Sequence, residues 1–174
     1  MLKFELNSDA VIARFLRKLD RTKLLSGPMD IAGAIVRDGA KQRIKDQGGD
    51  QEWPPNKRGG HTGILNGLMM NSISSHTDGD GVVVKAVVGT VFRYARWFQE
   101  GTGIYAGHSA WTIRPVNKKA LAFNVGGERV VVREVTMPGQ PPRPFLLVTA
   151  VERKRIAAAF RLWITRGSLQ GGNE

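Results

Sequence analysis

Histidine is the side chain best suited to acid–base and metal chemistry near neutral pH, and this 174-residue chain has three, His61, His76 and His108. They lie far apart, and no two have the helical spacing that a zinc-protease helix requires. The absence of cysteine excludes disulfides, thiolate metal sites and a cysteine nucleophile. We therefore expect the histidines to be ordinary exposed groups, and we predict no metal site.

Acidic and glycine-rich segments also fail to form a catalytic pattern. The run Asp78-Gly79-Asp80-Gly81 lacks the ligand spacing and closing glutamate of a calcium loop, and the valines that follow it favour a hairpin turn. The glycines of segment 101–107 lack the spacing and the strand-to-helix context of a dinucleotide loop. No spacing brings two carboxylates together, as a glycosidase needs. We predict a non-enzymatic protein with no cofactor.

An aromatic helix is predicted at Tyr94-Ala95-Arg96-Trp97-Phe98-Gln99-Glu100, closed by Gly101. Its three aromatic residues stand at i, i+3 and i+4 and therefore share one face. Two interpretations stay open at this point. The face packs in the core of the subunit, or Trp97 and Phe98 contact another subunit.

Residues 137–146, which we call the proline arm, contain four prolines in the seven positions from Pro138 to Pro144. Each proline removes a backbone N–H, fixes φ and pushes the preceding residue towards extended geometry. We therefore expect a stiff extended segment that places the helix following it. Arg143 is the best candidate for a charged contact, either to a neighbouring subunit or within its own, and Phe145 is the neighbouring apolar anchor.

A long polar loop is predicted over 48–61 by its glycines, prolines and charges, with Trp53 isolated before Pro54-Pro55. Tryptophan is enriched at binding hot spots. Either a partner covers this side chain, in which case the loop meets another protein, or Trp53 packs against the core of its own subunit.

The periodicity of the remaining chain predicts an α+β fold, with an antiparallel sheet of about five strands flanked by two N-terminal helices and one long C-terminal helix. The predicted helices span about Ser8–Leu19 and Leu147–Thr165, with a short one from Thr62 to Met70. A further helix, with Ser26 as its cap and Pro28 in its first turn, is predicted to end at about Gln47. The predicted strands are Ser72–Thr77, Val82–Gly89, Ala110–Pro115, Ala120–Val125 and Arg129–Val135, the last two joined at Gly126-Gly127. We predict one domain over 1–174, made of a helical part (1–47), the loop (48–61), an α+β core (62–166) and a flexible tail (167–174).

The net charge of +11 and the pI near 10.6 predict contact with polyanions or acidic protein surfaces. The basic residues are spread along the chain without forming a block, so nucleic acid is predicted as a secondary partner. No apolar run approaches the ~20 residues that span a bilayer. The N-terminus lacks the apolar region of a signal peptide. We expect no membrane partner and synthesis in the cytoplasm.

Five short blocks stand in order over residues 62–150, about half of the chain. They are Thr62–Leu65 with Asn71–Ile73, Val88–Thr90 running into Tyr94-Ala95, Gln99–Gly101, Ile113–Pro115 with Lys118–Phe123, and Arg143–Leu146. Together they resemble the phage virion morphogenesis family, the tail completion proteins of Mu-like and siphovirus-like phages. Phe98 stands where that family often has histidine.

The resemblance implies a structural virion protein of the phage neck that forms a ring, usually six-fold, at the end of the tail tube. Such a ring ends tube growth and joins the tail to the head. The implied partners are further copies of the chain, the tail tube protein, the head–tail connector or stopper protein and, transiently, the DNA in the lumen. A head-closure (stopper or adaptor) protein and a DNA-binding module are the alternatives. We predict that the subunit or partner contact involves Trp53, Trp97, Phe98, Arg143 and Phe145.

Overall fold

The computed structural model describes residues 8–55, 67–79 and 83–167, and the predictions for 56–66, 80–82 and 168–174 lie outside these residues. The architecture is α+β, as predicted. The helices are α1 (Ser8–Thr22), α2 (Ser26–Lys45), α3 (Leu68–Ser72), α4 (Tyr94–Glu100) and α5 (Ala150–Arg166). The strands are β1 (Ser74–Gly79), β2 (Val84–Gly89), β3 (Trp111–Ile113), β4 (Leu121–Val125), β5 (Glu128–Val132) and β6 (Val135–Met137).

The strands form three separate two-stranded antiparallel sheets, so the prediction of one sheet of about five strands is wrong. β1 pairs with β2, β3 with β6, and β4 with β5. The predicted strand Arg129–Val135 breaks after Val132, and Val135–Met137 turns back to pair with β3. β3 to β6 thus form a nested hairpin, in which the β4–β5 pair lies between β3 and β6 in the chain and every strand pairs within the hairpin. The prolines after Met137 have no N–H with which to extend a ladder.

Helix α2 is the centre of the subunit, with the β1–β2 hairpin and α5 both packed against it. Gly33 of α2 allows the β1–β2 hairpin to approach the helix closely. A Cβ at this position would lie 3.3 Å from the Cβ of Ser75 on β1 and 3.4 Å from that of Ala86 on β2. Helix α1 packs against α5 instead, and the nested hairpin packs chiefly on itself.

The buried core lies where α2, α3, α4 and the proline arm meet. Its buried members are Ala40, Ile44, Trp53, Met69, Ile73, Ala95 and Phe145. The arm and the beginning of the 48–61 loop are thus part of the core of the subunit.

Candidate interaction site

The proline arm lies against segment 98–104 of its own subunit. Backbone hydrogen bonds join the two segments: Arg143 N to Phe98 O (2.8 Å), Thr102 N to Gln140 O (2.9 Å) and Ile104 N to Pro138 O (2.9 Å). Gly101, Gly103 and Gly139 have φ of +80°, +62° and +107°, and a Cβ at any of them would collide with the backbone of the facing segment. The arm is therefore paired along its length and fixed in position.

Gln99 of helix α4 holds the end of the arm through its side-chain amide. Its Oε1 accepts from the backbone N–H groups of Phe145 and Leu146, both at 2.9 Å, and its Nε2 donates to the carbonyl oxygen of Leu146 at 3.1 Å. One amide thus satisfies three main-chain groups in a segment whose prolines prevent regular pairing. Any change at this position that cannot both donate and accept leaves part of the arm unpaired.

Three aromatic rings form a connected cluster beneath the arm. The ring of Phe98 lies between Trp53 and Phe145, with centroids 5.2 Å and 5.9 Å away in edge-to-face arrangements. Phe145 has no solvent exposure, and Trp53 is 8% exposed. Within the described residues the indole Nε1 of Trp53 is buried without a hydrogen-bond partner. Of the two interpretations offered for Trp53, the structure has the one in which its own core covers the ring.

Arg143 joins the arm to the loop that carries Trp53. Its guanidinium donates to the carbonyl oxygen of Pro54 from Nη2 (3.0 Å) and from Nε (3.3 Å). The residue is buried, and this burial lowers the pKa of Arg143 from its usual value. The contact predicted for Arg143 is made within its own subunit.

A buried ion pair between α2 and α5 holds the end of the arm from the other side. Arg43 donates to Glu152 Oε1 (2.8 Å) and to the carbonyl oxygens of Phe145 (2.9 Å) and Leu147 (2.7 Å). Both residues are less than 10% exposed. Glu152 also accepts from the backbone N–H of Thr149, which caps α5 in a capping box. Burial alone would raise the pKa of Glu152, but the hydrogen bonds from Thr149 and Arg43 outweigh burial and lower this pKa.

Trp97 differs from the other four predicted contact residues. Helix α4 turns Ala95, Phe98 and Gln99 towards the core, so Trp97 is on the opposite side and is 61% exposed. The aromatic residues of α4 therefore do not form one buried face. Trp53, Phe98, Arg143 and Phe145 are brought together inside the subunit, while Trp97 is available at the surface. The assignment of these five residues to a contact between subunits stays a prediction.

The groups considered for catalysis are not assembled into a site. His76 on β1 and His108 are exposed and His61 lies outside the described residues. Within the described ranges no three side chains among histidine, aspartate and glutamate are grouped to hold a metal ion. No helix in these same ranges is both long enough and apolar enough to cross a bilayer.

Helix α5 carries a basic outer surface. Its exposed cations are Arg153, Lys154, Arg155, Arg161 and Arg166. Its single acidic residue, Glu152, is buried and paired with Arg43, so it offers no charge to solvent. The exposed charges of α5 itself are consequently all positive, and such a surface would attract a polyanion or an acidic protein.

Four residues that organise this site were not predicted as contact residues, although three of them had signals in the sequence. Thr149 and Glu152 match the Ser/Thr-x-x-Glu signature of a capping box, which marks the start of α5 at Ala150. Arg43 stands three residues after Ala40 and seven after Val36, on the apolar stripe of α2, where a charge must find a buried partner. Gln99 had no such signal, because nothing local indicates that a distant proline arm needs its amide.

Compared with protein families, with curated proteins and with solved structures, the chain matches none.

Proposed function

We propose that this chain is a structural, non-enzymatic virion protein of the phage neck, which completes the tail tube and joins tail to head as a ring of identical subunits. The observation that carries the proposal is the contact between two blocks of the family resemblance. Gln99 of the Gln-Glu-Gly block binds the main chain of the Arg-Pro-Phe-Leu block across 46 positions of sequence. Because the two blocks form one hydrogen-bonded unit, they support an origin shared with that family better than two separate short matches do.

The charge distribution supports the same proposal. A closed ring repeats one heterologous interface and encloses a lumen, and in a phage neck that lumen is crossed by DNA. The exposed cations of α5 suit a subunit that lies near a polyanion or that binds an acidic neighbour such as a tail tube or connector protein. The localisation that follows is the virion, at the junction of tail and head.

Electron microscopy of particles made without this protein tests the proposal. We expect heads without joined tails, or tails of uncontrolled length, and restoration of normal particles when the wild-type chain is supplied in trans. Normal virions in its absence would contradict the proposal. The mass of the purified protein in solution provides the companion measurement, with a hexamer expected.

Tail length separates the tail-completion role from the head-closure alternative. A protein that ends tube growth leaves tails of variable length when it is removed. A stopper or adaptor at the head leaves tails of normal length that stay unjoined. The distribution of tail lengths in the particles without this protein therefore decides between the two roles.

A DNA-binding module is the second candidate, and the basic surface of α5 is the observation that favours it. Affinity for duplex DNA should then fall steeply with salt, with a log–log slope of about −0.9 for each phosphate contacted. Replacing Lys154 and Arg161 together by glutamine should reduce the magnitude of this slope by about two. A gel shift with no retardation at low salt would remove this candidate.

A further inference from the structure

Helix α1 presents an apolar side to solvent. Ile12, Phe15 and Leu16 are 54%, 61% and 53% exposed, and they stand at i, i+3 and i+4 on one side of the helix. Arg14 and Arg17 point away from this side, as the 100° step of the helix requires. This is the pattern of a helix that lays three anchors into a hydrophobic groove of another chain.

The same subunit contains an open apolar groove. It has a volume of about 310 Å³. Its lining comes from α2, β2 and the chain leading into α5, and it carries no charged side chain: Ala32, Gly33, Val36, Ala86, Val88 and Leu146–Val148. Apolar side chains that displaced water from this groove would stabilise the complex, and no buried charge would be left unpaired.

Helix α1 is fixed elsewhere in its own subunit. Arg21 at its C-terminal end donates to the carbonyl oxygen of Thr165 at 3.0 Å, and its own carbonyl oxygen accepts from the indole Nε1 of Trp163 at 3.2 Å. These bonds tie the end of α1 to the end of α5. For α1 to fold onto its own groove, both bonds would have to break.

We infer that the apolar side of α1 in one subunit docks in the apolar groove of a second copy of this chain. Every subunit carries both the helix and the groove, so the contact is heterologous and can repeat around a closed ring. The cations of α1 stay on its outer side and meet no charge from the groove. The inference rests on the proposed function in one respect, because the ring supplies the neighbouring copy.

The size of the contact favours a ring over an isolated pair. Taking about 200 Å² for a fully exposed large apolar residue, the exposed fractions of Ile12, Phe15 and Leu16 leave about 340 Å² of surface in water. Burying this against the groove removes about 700 Å² over both partners, less than the ~1,200 Å² of standard stable interfaces. One such contact is weak, but in a closed ring every subunit makes it twice.

Sedimentation velocity on Phe15→Ser provides the first test. Because Phe15 is 61% exposed in the subunit, its replacement should leave folding unchanged while weakening association at least about tenfold. Val116→Ser is the matched control, since this valine is 94% exposed and lies outside both surfaces, and it should associate like wild type. Association of the Phe15 variant at wild-type strength would overturn the inference while leaving the ring intact.

Disulfide trapping identifies which surfaces meet, and no natural cysteine competes with the introduced thiols. Leu16→Cys places a thiol on α1 and Val148→Cys places one at the groove. We expect cross-linked dimers only when the two variants are mixed. Cross-linking of the Leu16 variant with itself would indicate paired α1 helices, and an internal disulfide in the double variant would indicate docking within one subunit. Either result overturns the inference. A wild-type protein that stays monomeric at high concentration would overturn both this contact and the proposed ring.

Discussion

Replacing Gln99 by methionine should destabilise the subunit far more than its single position on a short helix suggests. Methionine keeps the length of the side chain but can neither accept from Phe145 and Leu146 nor donate to Leu146. Three partly buried main-chain groups lose their partner. At a net value of about 1 kcal/mol for each hydrogen bond, we expect the free energy of unfolding to fall by about 2–4 kcal/mol.

Urea denaturation measures this loss, with the midpoint and the slope fitted separately. Gln42→Met is the matched control, because the amide of Gln42 is exposed and binds the exposed side chain of Asp46, so its loss should cost less than about 0.5 kcal/mol. Gln99→Glu should lie between the two, since its carboxylate still accepts from both N–H groups but cannot donate. If Gln99→Met unfolds at the same urea concentration as wild type, the amide does not hold the arm and our account of the site is wrong.

Four further predictions concern the rest of the buried site. Gly39→Ala would place a Cβ on the carboxylate of Glu152, so it should cost about 1–3 kcal/mol of stability in urea, whereas Gly89→Ala, with open space around it, should change little. Because the pKa of Glu152 is lowered on folding, its contribution is present above the unfolded pKa of about 4.3 and is lost as pH falls through the folded value. In thermal melts between about pH 6 and pH 2, Glu152→Gln should therefore lose less stability on acidification than wild type does. An equal loss would contradict this role of the Glu152 carboxylate. Phe145→Ala should cost about 3–5 kcal/mol by calorimetry, and a loss below about 1 kcal/mol would mean that the arm is only a linker. A variant retaining Trp53 as its sole tryptophan should emit at short wavelength as an isolated subunit, whereas red emission would place the ring in water.

The sequence alone determined the α+β class, the helical periodicities and the turn at Gly126-Gly127. These features depend on interactions between residues close in the chain: apolar side chains at helical spacing, and glycines that adopt positive φ without a steric penalty. The stiffness of the proline arm is local for the same reason, because each proline restricts its own φ and the conformation of its predecessor.

Only the tertiary structure decided which partners the strands and the arm take. β3 pairs with β6 rather than with the β1–β2 hairpin, because backbone hydrogen bonds are the same for every strand and pairing is selected by the whole packing arrangement. The buried positions of Trp53 and Phe145 likewise depend on α4, the arm and the loop meeting at one place. An aromatic residue in a polar loop has the same local signature whether a partner or its own core covers it, so sequence could name these residues but only the fold could place them.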